Sequence, residues 1–84
     1  MTRPDRLLVR MRASKADWST DEVLAVYRSR GFLVSSGGKH WKVRHPTYPE
    51  LIATVRRSDP LPTGYIETLL ELVDELEEKE RGRA

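Results

Sequence analysis

The segment Gly37-Gly38-Lys39-His40-Trp41-Lys42-Val43-Arg44-His45-Pro46 places a histidine, a lysine and an arginine on alternate positions of a strand-like run. Side chains two apart on an extended strand share a face, so His40, Lys42 and Arg44 point one way while Trp41 and Val43 point the other. Two cations beside an imidazole disfavour its charged form, and an anion in the site reverses that sign. The cluster therefore suits a phosphodiester, with Lys42, Arg44 and Arg56 or Arg57 neutralising charge and His40 moving a proton near neutral pH. A plain solvated face is the competing reading, because basic residues also protect exposed strands.

Other chemistries fit less well. The chain has no cysteine, which excludes disulfides, thiolate zinc sites and a cysteine nucleophile. His40 and His45 are five apart, so on one strand they face opposite sides, and no nearby carboxylate completes a metal shell. No phosphate-binding P-loop, dinucleotide glycine pattern or serine-nucleophile motif is present.

The elements that would position the cluster can be read around it. At 84 residues, with 38% hydrophobic and 33% charged residues, the chain suits one small folded domain. Residues 1–16 form a basic leader, expected to be flexible, although the alternation of Leu7, Val9 and Met11 also fits an edge strand or an arm that orders on a partner. Trp18-Ser19-Thr20-Asp21-Glu22-Val23 carries a capping box and a hydrophobic staple, which predict a helix ending at Gly31. Strand periodicity follows in three runs, 32–35, 39–45 and 51–56. Ile66, Leu69, Leu70, Val73 and Leu76 then predict a second helix on the main domain, 17–80, before a frayed tail at 81–84. The expected fold is α+β, in the order α-β-β-β-α, with two helices on one face of a three-stranded antiparallel sheet.

Charge is divided along the chain. Residues 1–62 hold twelve basic and six acidic residues, a net of +6, whereas residues 64–80 hold seven acids against Lys79. The first part suits a polyanion. The Leu7-Leu8-Val9 run is too short for a signal peptide or a membrane span, so a cytoplasmic protein is expected.

Gly31-Phe32, Gly38-Lys39-His40, Arg44-His45-Pro46, Thr54-Val55 and Leu61 to Gly64, with Ile66 and Leu69 beyond, together resemble the HicA family of toxins from bacterial toxin–antitoxin pairs. The resemblance spans about residues 20 to 76. It implies a double-stranded-RNA-binding-domain-like fold and a ribosome-independent mRNA endonuclease that needs no metal or other cofactor, with His40 in the place of the catalytic histidine. It also implies a HicB-like antitoxin partner, encoded nearby, that covers the active face. Lys39 stands where serine is usual, and with Lys42, Arg44, Arg56 and Arg57 it completes the expected RNA-contacting set.

Two alternatives accompany that expectation. A non-catalytic RNA-binding module of the same fold is one, although a duplex binder would want basic residues where the second helix opens and this chain has Thr63-Gly64-Tyr65. The other is a protein-interaction domain docking through its acidic helix.

Overall fold

The computed structural model describes residues 1–83. Its elements run α1 (Arg3–Ala13), α2 (Thr20–Ser29), β1 (Leu33–Gly37), β2 (His40–Arg44), β3 (Ile52–Arg56) and α3 (Thr63–Arg83). The three strands form one antiparallel sheet in the order β1-β2-β3, so β2 is central. The fold is α+β, and the expected α-β-β-β-α order is present from α2 onward, preceded by one further helix.

Helix α2 begins where its capping box places it. The Ser19 hydroxyl accepts from the Glu22 amide, and the Glu22 carboxylate accepts from the Ser19 amide. It stops at Gly31, whose φ of 86° is costly for any residue with a Cβ. Along α3 the buried residues are Ile66, Leu69, Leu70, Leu72, Val73 and Leu76. Leu72 widens the apolar face beyond one stripe, as befits a helix that packs on the sheet and on both other helices.

The leader is not a flexible tail. Residues 3–13 form α1, opened by a second capping box in which Thr2 and Asp5 satisfy each other's amides, with Pro4 in the first turn. Leu7, Leu8 and Met11 are buried in the common core, while Val9 is 55% exposed. Spacing of one, three and four residues governs here, not the alternation of Leu7, Val9 and Met11. The helix packs on α2 and α3. Arg12 bonds Asp74 of α3 at 2.7 Å, and Arg30 of the α2 end reaches Asp5 at 3.1 Å. At the other terminus α3 continues through Arg83, so residues 81–83 are helical; Ala84, the last residue of the expected frayed tail, lies outside the described residues. None of the described helices is long and apolar enough to cross a membrane.

The sheet's helical side carries Val34, Trp41, Val43, Ala53 and Val55, with Val43 and Val55 fully buried. The alternate positions face outward, and no element among the described residues covers them.

Two outcomes test this account of the N-terminus. Met11→Ala should lower unfolding free energy by about 2–5 kcal/mol in denaturant titration, a large part of the roughly 5–15 kcal/mol that holds a small domain together. A tail residue would cost nothing. The second concerns Asp5, whose pKa is held below the ordinary carboxylate value by hydrogen bonds from the Thr2 hydroxyl and amide, with Arg30 adding to them. That stability is present above the unfolded pKa and is lost as pH falls through the lower folded one. Asp5→Asn should therefore lower the melting temperature at pH 7, by a margin that shrinks below about pH 4.

Candidate nucleic-acid interface

The register fixes what His40 faces. His40 pairs with Gly37 of β1 on one side and Arg56 of β3 on the other; Lys42 pairs with Ser35 and Thr54, and Arg44 with Leu33 and Ile52. All of these lie on the uncovered side. Their face holds four titratable side chains, His40, Lys42, Arg44 and Arg56, and no carboxylate. All four are exposed, and none takes part in an ion pair among the described residues.

Distance divides the expected set. Arg56 is the direct cross-strand neighbour of His40, where Cα atoms are roughly 4.5–5.5 Å apart. Lys42 lies two residues along β2, and its stem turns back toward His40. Its Cγ, Cδ and Cε would stand 3.0–3.4 Å from a Cβ at Gly37, so the lysine stem lies close over the residue paired with His40 and a side chain there would press on it. His40, Lys42 and Arg56 thus gather at the hairpin end of the open face. Arg44 is four residues from His40, roughly 13 Å along the strand, at the other end of the open face. Lys39 is exposed in the turn between β1 and β2.

Arg57 does not join this face. The strand ends at Arg56, and Arg57 turns to the opposite side, where its guanidinium carbon lies 4.2 Å from the Trp41 ring centroid. Its Nη2 donates to Ser36 Oγ at 2.7 Å and its Nε to the Gly38 carbonyl at 3.3 Å. Of the two arginines expected to neutralise charge beside His40, Arg56 is the one on its face, because successive residues of an extended chain point to opposite sides.

His45 is buried. Its Nδ1 accepts from the Thr47 amide at 3.1 Å, and its ring meets Phe32 edge-on at 5.1 Å and Tyr48 at 5.4 Å. Gly31 makes room for it, since a Cβ there would approach Nε2 to 3.3 Å. The aromatic series continues to Tyr27, whose hydroxyl pKa burial pushes upward. This histidine is a packing residue.

Sequence reasoning missed Thr20 as a positioning residue. Its hydroxyl lies 2.8 Å from the carbonyls of both Arg56 and Ser58, and accepts from the Ser58 amide at 3.0 Å, tying the start of α2 to the exit of β3. Arg56 is thereby fixed through its own backbone. A threonine just after a helix cap carries no sequence signal for so distant a bond.

No family model, curated protein or solved structure matches the chain.

A side chain at Gly37 would press on the Lys42 stem. Gly37→Val should displace the Lys42 stem and weaken RNA binding several-fold while far-ultraviolet circular dichroism stays that of the parent. Lys42→Ala and Arg56→Ala should each reduce the slope of log affinity against log salt by about one, the loss of one phosphate contact. An unchanged slope in both would count against phosphate binding on this face.

Proposed function

We propose that the chain is an RNA endonuclease of the HicA type, a toxin that cuts mRNA without the ribosome, with His40 as the proton-transferring residue. The observation that carries this reading is the convergence of His40, Lys42 and Arg56 on an uncovered sheet face that bears no carboxylate and leaves all three free of ion pairs. Three cationic or protonatable groups without counter-ions, held by a rigid sheet, form a seat for a phosphate.

In the reaction the RNA supplies its own nucleophile. The 2′-hydroxyl attacks the adjacent phosphorus, a bond forms between O2′ and phosphorus, and the bond from phosphorus to O5′ breaks. His40 takes the 2′ proton as general base or gives one to the departing O5′ as general acid, and water exchanges the other proton. Lys42 and Arg56 stabilise charge on the phosphoryl oxygens, while Arg44, farther along β2, holds a neighbouring phosphate. The products are a 2′,3′-cyclic phosphate and a 5′-hydroxyl. No step calls for a metal or another cofactor.

This reading carries with it a HicB-like antitoxin protein that would cover the active face. Leu33 and Ile52, 56% and 58% exposed, flank Arg44 from both neighbouring strands and offer apolar contacts for such a partner. A HicB-like reading frame beside the gene, whose product co-purifies with the chain, would support that part.

His40→Ala tests the chemistry. Its side chain is exposed, so the melting temperature should stay at the parent value while cleavage falls about a hundred- to ten-thousand-fold. Cleavage at the parent rate would remove His40 from the mechanism. Intact RNA with both proteins, bound in a salt-sensitive way, would favour a binding module over a nuclease.

A further inference from the structure

The sheet end that gathers His40 and Arg56 on its open face presents a different surface on its other side. Trp41 and Arg57 immediately follow those two residues in the chain, and alternation turns both away. The Arg57 guanidinium lies over the Trp41 ring and is pinned at its edges by Ser36 Oγ and the Gly38 carbonyl. Both residues line a shallow cleft of about 390 Å³, bounded across from them by Thr20 and Asp21 of α2 and by Ser58 and Asp59. That volume is within the roughly 300–1,000 Å³ of small-molecule sites.

Two features distinguish this cleft from a structural stack. Arg57 forms no ion pair among the described residues although two carboxylates line the same cleft, and neither carboxylate is itself paired. The cleft is also one residue along the chain from each of two proposed phosphate ligands, Trp41 following His40 and Arg57 following Arg56. The hairpin turn between the two faces is uncrowded: a Cβ at Gly38 would meet nothing within 4 Å.

We propose that this cleft is a nucleobase subsite, which takes one unpaired base next to the phosphate held at His40 and Arg56. The base stacks on the Arg57–Trp41 platform, since guanidinium planes and indoles both accept a base face. Asp21 and Asp59, acceptors only, then face its hydrogen-bonding edge. Guanine presents two adjacent N–H donors there, whereas uracil presents one between two carbonyl oxygens, so the site prefers guanine. This inference rests on the RNA reading above and adds to it a source of sequence preference.

The test uses the full chain carrying His40→Ala, so that binding is read without cleavage. The probes are labelled hexaribonucleotides of uridine, with one central position as guanosine, uridine or an abasic ribose. The guanosine oligonucleotide should bind roughly 5- to 100-fold tighter than the abasic one and also tighter than all-uridine. Adding Arg57→Ala, at an exposed position, should erase the difference between guanosine and abasic probes. Adding Asp21→Asn and Asp59→Asn should reduce the preference for guanosine over uridine while leaving the stacking gain.

Arg57→Ala that weakens all three probes equally and lowers the salt slope by about one would make Arg57 a phosphate ligand and overturn the subsite. Salt-dependent binding that falls in Arg56→Ala but ignores the central base would sink the subsite and leave the phosphate face standing. Absence of any salt-dependent binding would sink both.

Discussion

A three-stranded sheet in a chain this short can be covered by helices on one side only, and that asymmetry decides what the other residues can do. Val43 and Val55 must point inward because the core is there, so His40, Lys42 and Arg56 have no choice but to point out. A solvated face needs only polarity, and mixed charge would supply it at lower electrostatic cost. Here a histidine faces an arginine directly across the strands and a lysine stem lies over a glycine beside them, with no carboxylate on the same face to offset the permanent cations. The favourable energy that tolerates this comes from the opposite side, where α1, α2 and α3 close the core.

Much of that frame was legible in the residues. The Ser19–Glu22 capping box, Gly31 and the apolar spacing along α3 each encode a local structure that the tertiary fold has no reason to override. The two-residue period around Trp41 and Val43 likewise placed His40 on the open side. Helix α1 was missed although its signals are equivalent in kind: Thr2 and Asp5 form a capping box, and Leu7, Leu8 and Met11 have helical spacing. Over so few residues Leu7, Val9 and Met11 satisfy a strand period equally well, and only the packing against α2 and α3 separates the two. Exposed Val9 is the residue that reveals which period is real.

The site was legible as a histidine and a set of cations, and less so as a geometry. Alternation alone separates Arg56 from Arg57, but the pairing that sets Arg56 opposite His40 and brings Arg57 over Trp41 is made only in the fold. The part of Gly37 could not be read at all, because a glycine beside a turn glycine looks like turn chemistry. Its positional meaning depends on the cross-strand register that puts the Lys42 stem over it. Thr20 is similar: its bonds to the 56–58 segment are made between parts of the chain more than thirty residues apart.

The charge division along the chain also changes meaning in three dimensions. Counted by sequence, the arginines of residues 1–16 belong to the basic part of the molecule. In the fold, Arg12 is held by Asp74 of the acidic helix and Arg10 lies 5.4 Å over the Trp18 ring, both on the helical side. Arg12 therefore tempers the acidic helix instead of extending the basic sheet. The open face keeps its cations unpaired, while α3 carries a run of exposed carboxylates on its outer side. A polyanion approaching this molecule meets a field that is repulsive over α3 and attractive over the sheet, and is guided to the face that holds His40.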